Sequence, residues 1–518
     1  MTKNNLVETV YTEQKVPDYC GNPFIEALPP IWLAAQSVRN LTVAPGFHPG
    51  ERELEAEYRI HCVRRLFQYF QPLDTHLEIE QKISIAIRQG YIARNPVMPE
   101  HARRLTYGHE AIQEKNIGVY GNYPLKSTSA GFSIIGMSGV GKTTAVERIL
   151  SLYPQCIEHT SYHGKPLYVR QLVWLKIDCP FDGLLKGLCF SFFSAFDKAL
   201  GTEYYKRLTK RTTVDEMLPQ MAQISTNHGL GVLVVDEIQH LKQAKSGGSE
   251  KMLNFFVTLV NTIGVPVVLI GTTAAMSVFQ SAFRQARRSS GQGALLWDRM
   301  KNDISWETML RAMWQYQWTK KYIELTERLR NVVYDESQGI IDIAVKLFVM
   351  AQVKAIALGK EEVTEKILRE AAAEKLQLVK PMMDALRSGD RKKILQFEDI
   401  HPIEIEDYII AHMNMLNTFS DIPKESNSLE EQAVLKLLEM DIPSKTARSC
   451  VKRALRQSNA AQPLSAVLKK AFKFALSMDA PLVPAGSPQD NDLRNITVDD
   501  IYGSIKNAGF VADVDDDL

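Results

Sequence analysis

Three short stretches carry residue types whose spacing could do phosphate chemistry. In "GMSGVGKTTAVERIL", residues 136–150, Gly136, Gly141, Lys142 and Thr143 fit the pattern G-x-x-x-x-G-K-[ST]. Glycines so placed let backbone N–H groups turn inward around phosphate oxygens, and a helix opening after the loop adds the positive end of its dipole. Lys142 would reach the β- and γ-oxygens of a bound nucleotide, and the Thr143 hydroxyl would ligate Mg²⁺. The expected nucleotide-binding loop runs through Gly136, Met137, Ser138, Gly139, Val140, Gly141, Lys142, Thr143 and Thr144. In "GVLVVDEIQHL", Asp236 and Glu237 follow an apolar run. Asp236 is placed to hold Mg²⁺ through water, and Glu237 to polarise the water that attacks the γ-phosphate. In "VPVVLIGTT", Thr272 stands at the tip of a third apolar run, where it could sense the γ-phosphate or align that water. Arg284, Arg287, Arg288 and Arg299 follow. The Arg287–Arg288 pair is the expected trans-acting finger, reaching a neighbouring subunit's γ-phosphate to stabilise transition-state charge.

These groups need a parallel sheet to bring them together. The apolar run "FSII" precedes the phosphate loop, and Val232 to Val235 read as a fully buried parallel strand. Carboxylates at the C-terminal edge of such a strand lie where ligands of open α/β sheets bind. Residues 121–320 alternate apolar runs with amphipathic helices, which predicts an α/β nucleotide-binding core. Residues 1–120, with "NPFIEALPPIW" and helical "EYRIHCVRRLFQYF", read as a mixed N-terminal extension or interaction arm. Residues 321–388 read as all-helical. Residues 389–518 read as a helical, partly disordered region that ends in an acidic tail after the linker "PLVPAGSPQDND".

Composition narrows the classes. The 518 residues are 45% hydrophobic and 23% charged, ordinary for a soluble globular chain. No apolar run approaches the roughly 18–20 residues of a membrane span, and the polar start "MTKNNLVETVYTEQK" is no signal peptide. Six scattered cysteines without a CxxC pair read as reduced thiols, so the expected location is cytoplasmic. A net charge of +1 hides a local asymmetry. No acidic residue lies between Asp441 and Asp479, where eight Lys and Arg occur, whereas residues 479–518 carry nine Asp against Arg494 and Lys506. Arg448, Lys452 and Arg456 fall at i, i+4 and i+8, so a helix there would show a basic face suited to phosphate backbones. The alternative is a solvated face that balances the acidic tail.

Phosphate loop, acidic strand, polar-tipped strand, arginine pair and helical lid, in that order, resemble the AAA+ ATPases. The strings "NPFIEALPP", "YFQPLDTHL", "GYIARNP", "LKIDCP", "DEIQHL", "GGSEKMLNFFVTLVN", "ARRSSGQGALLWD" and "SQGIIDIAVKLFVMAQ" resemble more narrowly the TnsC type of transposition regulator. The resemblance covers about residues 10–390. It implies a matchmaker that binds ATP, assembles as a ring or filament on double-stranded DNA and links a target-site selector to transposase subunits. ATP hydrolysis would then control disassembly and target choice. The resemblance also implies that Lys346 stands at the second sensor position, where an arginine is usual, and that Lys186 lies where such proteins place DNA-contacting residues; the alternative for Lys186 is an ordinary surface lysine. The acidic tail, with apolar residues set among its Asp, is expected to recruit transposase. Two other readings share the core: a replication initiator or loader, and a DNA-bound scaffold using ATP only as a structural ligand. Glu237 argues against the scaffold, and the absence of an NKxD string against a GTPase.

Overall fold

A computed structural model describes residues 6–122, 130–243, 264–275, 293–390, 405–420, 444–456 and 464–478, with a few single positions between them. The chain divides into two units, Met1–Leu416 and Asn417–Leu518.

Among the described residues the first unit contains two sheets. In the smaller, β1 (Leu6–Glu8) pairs parallel with β3 (Cys156–Tyr162), which turns back into β4 (Lys165–Leu172) as a hairpin. The larger sheet runs β5 (Trp174–Asp178), β6 (Val232–Asp236), β7 (Val267–Gly271), β2 (Phe132–Gly136), β8 (Ala294–Trp297), with every neighbouring pair parallel. The β-branched runs seen in the sequence thus form a sheet buried on both faces, as parallel strands require. Alternate residues supply the two faces. Phe132, Ile134, Val232, Val234, Val268 and Ile270 enter one core, and Ile135, Leu233, Val235 and Val267 enter the other.

Before β2 come α1 (Pro23–Glu26), α2 (Ala34–Leu41), α3 (Ala56–Val63), α4 (Asp74–Ile92) and α5 (Pro99–Gln113). Between the strands lie α6 (Lys142–Leu150), α7 (Leu185–Leu200) and α8 (Val214–Asn227). Ile79, Ile83, Ile87 and Tyr91 of α4 cover the first face together with Val146 and Ile149 of α6. Phe192, Phe193 and Phe196 of α7 and Met217 and Met221 of α8 cover the second.

The lid follows as α9 (Ile304–Trp314), α10 (Glu327–Ser337), α11 (Ile341–Ala357), α12 (Glu365–Lys375) and α13 (Lys380–Ser388), with α14 (Glu406–Ser420) beyond them. Helix α11 is nearly all apolar because it is the lid's central helix; its Phe348 stacks on Trp314 with centroids 4.5 Å apart. The lid core begins earlier than the expected residue 321, since Trp306, Met309, Leu310 and Met313 of α9 pack into it.

The region before residue 120 is shared between sheet and lid. Ile60, Cys62, Val63 and Leu66 belong to the lid core, whereas Phe24, Ile25 and the α4 isoleucines belong to the sheet. The buried Arg59 guanidinium donates to both carboxylate oxygens of Glu361, at 2.5 and 2.7 Å, and to the Trp318 carbonyl at 3.1 Å. In the second unit, α15 (Ser444–Arg456) and α16 (Leu464–Met478) close a small core of their own. Among the described residues no helix is long and apolar enough to cross a membrane.

Burial gives α4 a pH dependence. His76 is buried, its Nδ1 accepts the Leu73 N–H at 2.8 Å, and its ring meets Trp297 of β8 edge-on at 5.1 Å. Burial pushes its pKa down to about 4. The unfolded chain therefore takes up this proton first, near pH 6.5. The His76 contribution is full above that pH and is lost as pH falls toward 4, by up to about 3 kcal/mol. Thermal unfolding between pH 7 and 4 should show this slope, and His76→Asn, which keeps an acceptor for Leu73 N–H, should flatten it. An unchanged slope in the variant would assign the acid sensitivity elsewhere.

Candidate nucleotide site

The C-terminal ends of β2, β6 and β7 open onto one cavity of about 230 Å³. Strand β2 delivers the loop from Met137 to Gly141, and α6 starts at Lys142. Gly141 has φ 98°, in the left-handed region, and a Cβ built on it would meet no atom within 4 Å. Glycine therefore supplies the turn and leaves the hollow above the helix N-terminus open for oxygen atoms. Gly136 has a different reason to be glycine. It pairs with Trp297 of β8, and a Cβ there would come within 2.1 Å of the Trp297 carbonyl oxygen. Its role is close strand packing. The Lys142 ammonium is buried and donates to the carbonyls of Gly136 and Met137, at 2.9 and 2.7 Å. Ser138, Gly139, Thr143 and Thr144 line the same cavity, while Val140 turns into the sheet core with Val146 and Ile149.

Across the cavity, Asp236 ends β6 and is buried. The Thr143 hydroxyl donates to its Oδ2 at 2.8 Å, and the Glu237 N–H donates to its Oδ1 at 2.8 Å. A hydroxyl and a carboxylate already in contact make an oxygen donor set that suits a small hard cation such as Mg²⁺. Thr272, at the tip of β7, is also buried, and its Oγ1 has no hydrogen-bond partner among the described residues. An orphaned hydroxyl at the wall of a polar cavity fits a ligand with acceptor oxygens. Because β7 lies between β2 and β6, Thr272 stands between the phosphate loop and the acidic pair.

Glu237 adopts φ 56°, uncommon for a side chain of its kind and a conformation that clusters at functional sites. The reversal starts a 3-10 turn over Ile238–Gln243, which brings Gln239 back over the sheet edge. Gln239 Nε2 donates to Glu237 Oε2, and Gln239 Oε1 accepts the Thr272 N–H at 3.1 Å. One amide thus ties the tips of the acidic and polar-tipped strands together. Lys176 of β5 lies 3.5 Å from Asp236 Oδ2 and 2.9 Å from Glu147 Oε1. Burial works to lower the Lys176 pKa, but the hydrogen bond to Glu147 and the charges of Asp236 and Asp178 outweigh it and leave the ammonium held more firmly than usual. From the lid, Asp342 reaches the cavity, its N–H 3.4 Å from the Gly139 carbonyl. Lys346 pairs with Asp342 at 2.7 Å.

Lys142, Thr143, Asp236, Glu237 and Thr272 therefore converge, and Lys346 stands one residue removed from the cavity through Asp342. Arg287 and Arg288 lie outside the described residues, as do residues 479–518. Arg299 is turned to the lid, where it donates to the carbonyls of Gln338 and Leu386. Lys186, on α7, is not in this cavity; its ammonium donates to the Lys210 carbonyl at 2.8 Å and sits 6.0 Å from the Phe190 ring centroid. Sequence reasoning passed over Gln239, Lys176 and Asp342. Gln239 had a signal, two residues past Glu237 in "DEIQHL"; Lys176 and Asp342 depend on strand order and lid docking.

A family model described as AAA domain matches residues 126–279. No curated protein matches the chain. Among solved structures, the chain is similar to a Walker-type ATPase of Pyrococcus abyssi, 14% identical at TM-score 0.33, over 65% of this chain and 93% of that one. It is similar to the Aeropyrum pernix ORC1 protein in complex with DNA, 15% identical at TM-score 0.34, over 64% of this chain and 88% of that one. It is also similar to Drosophila ORC bound to AT-rich DNA and Cdc6, 11% identical at TM-score 0.28, over 90% of this chain and 66% of that chain. The parallel sheet, the phosphate loop and the helical lid are those of an AAA+ P-loop fold.

Proposed function

We propose that this protein is an ATP-hydrolysing regulator of DNA transposition. It assembles as an oligomer on duplex DNA, links a target-site selector to the transposase, and uses ATP turnover to control disassembly and target choice. The observation that carries the ATPase half is the convergence of Lys142, Thr143, Asp236, Glu237 and Thr272 on one cavity. The transposition half is supported by the sequence strings that resemble TnsC-type regulators.

In this reading the backbone N–H groups of the loop and the Lys142 ammonium bind the β- and γ-phosphates. Thr143 and Asp236 would hold Mg²⁺, which when bound offsets the negative charge of those phosphates. The Glu237 carboxylate accepts a hydrogen bond from the attacking water and orients it. The Thr272 hydroxyl, otherwise unsatisfied, donates to the γ-phosphate or to that water. Arg287 or Arg288 of a neighbouring subunit completes the charge stabilisation, which makes turnover depend on assembly. The acidic C-terminal segment recruits transposase subunits.

Electron microscopy of the full chain with duplex DNA and either ATPγS or ADP tests the reading. Rings or filaments around DNA with ATPγS and not with ADP are the expected result, and adding the transposase should then give strand transfer into that DNA. Single particles off DNA in both nucleotides would overturn the reading. Assemblies that never stimulate strand transfer would leave an ATP-gated DNA-binding protein and remove the transposition half.

A further inference from the structure

The lid places a carboxylate in a cavity that suits phosphates. Among the described residues lining that cavity, Asp236, Glu237 and Asp342 are acidic and Lys142 alone is basic. Asp236 and Glu237 stand at the end of β6, toward the cation and the attacking water. Asp342 comes from the first turn of α11 and has neither task. A carboxylate that faces phosphates across a small cavity repels them. Among the described residues, the Asp342 side chain has one bonding partner, the Lys346 ammonium at 2.7 Å. The two lie four residues apart on one face of α11, with the acid nearer the N-terminus, the favourable order for such a pair. The Lys346 side chain is 21% exposed and that of Asp342 44%. The carboxylate therefore has water to turn into, while the ammonium stays beside the cavity.

The backbone holds this pair in place. Gln338 and Gly339 take left-handed φ values of 51° and 77° and turn the chain from α10 into α11. A Cβ on Gly339 would come within 2.0 Å of the Met300 carbonyl oxygen, so the turn lies tight against the chain leaving β8. The Met300 N–H donates to the Gly339 carbonyl at 3.0 Å, and the Asp342 N–H faces the Gly139 carbonyl. The start of α11 is thus pinned to sheet and phosphate loop, and what can change there is the partner of a side chain. The loop amides and the α6 N-terminus suit the α- and β-phosphates. The rest of the cavity, which Asp342 shares with Glu237 and Thr272, suits the γ-phosphate. We infer that Asp342 sets the ratio of ATP to ADP affinity by keeping Lys346 until a γ-phosphate takes it. When ATP binds, the ammonium passes from Asp342 to the γ-phosphate and the carboxylate turns to water. ADP leaves the pair closed. Asp342 is therefore a positioning residue, and release of the cleaved phosphate lets the pair form again. The inference rests on the cavity being an ATP site and uses nothing of the transposition reading.

Calorimetric titration of the full chain with ATPγS and with ADP, each with Mg²⁺ and without DNA, tests it. Asp342→Asn keeps the size of the side chain and removes its charge. It should bind ATPγS about three- to tenfold more tightly and change ADP affinity by about twofold at most, the scale expected for a partly exposed pair that must open before binding. Lys346→Met should weaken ATPγS binding about three- to tenfold and again move ADP little. In Asp342→Asn/Lys346→Met most of the gain from asparagine should be gone, because no ammonium is left to release. A structural role at the start of α11, or a damaged fold, would lower affinity, so the gain in Asp342→Asn separates the pair from either. Weaker ATPγS binding by Asp342→Asn overturns the inference and makes the carboxylate a nucleotide ligand. An equal gain for ATPγS and ADP overturns it too, since the γ-phosphate would not be what is read. So does unchanged ATPγS affinity in both single variants. Binding of neither nucleotide by the unsubstituted protein would remove the ATP reading and this inference together, whereas normal binding by the parent with unaltered variants removes the inference alone.

Discussion

Glu237→Gln should bind nucleotide as the parent protein does and release phosphate at least about 100-fold more slowly. The amide keeps the size of the side chain, and it leaves untouched the Thr143–Asp236 contact that fits the metal. What it removes is the negative charge that draws a proton from the attacking water, a contribution typically of about 10²–10⁴ in rate. Fluorescent nucleotide binding and a phosphate-release assay separate the two quantities. If ATP turnover drives disassembly, DNA-bound oligomers of this variant should persist long after ATP is added. Turnover within a few-fold of the parent would remove Glu237 from its assigned role, and loss of binding would show that its part is structural.

Gln239→Leu comes next in expected effect. Leucine approximates the volume of glutamine but removes both ends of the link from the Glu237 carboxylate to the Thr272 N–H. A hydrogen bond to a charged group is worth about 1.5–3 kcal/mol, and about 1.4 kcal/mol is a factor of ten in rate. The expected loss in kcat is therefore about 10–100-fold, with KM for ATP little changed, because neither group holds the base or the ribose. A rise in KM with kcat intact would mean that the amide shapes binding and not the position of the carboxylate. Unchanged kcat and KM would make the link incidental.

Much of this site was legible in the sequence because its parts are local. A loop of fixed spacing, a strand ending in two carboxylates and a strand ending in a threonine each show themselves within ten residues. Their assembly is not local. That β7 separates β2 from β6 is a matter of strand order, which no single run of residues encodes. Gln239 is marked by its place two residues past Glu237, but nothing in the letters "DEIQ" signals the left-handed backbone at Glu237 that turns it into the site. Lys176 sits on a neighbouring strand opposite Val234, and its side chain reaches two positions along to Asp236, a contact that depends on which strands pair. The first hundred residues were the least legible. Their helical periodicity marks faces that must be buried, but periodicity cannot say that α3 is buried in the lid and α4 on the sheet.

That division has a mechanical consequence. Arg59 and the residues after it are anchored in the lid by a buried ion pair and apolar packing, and α4 is anchored on the sheet. The lid anchor runs on through the turn Arg64–Gln68 to the buried Leu66, so seven residues, 67–73, separate it from the start of α4 at Asp74. Such a leash reaches about 25 Å if pulled straight, and far less as folded. A lid that rocks when phosphate arrives or leaves would take up this slack or strain it. The early part of the chain would then register, as tension, whether the site below is filled.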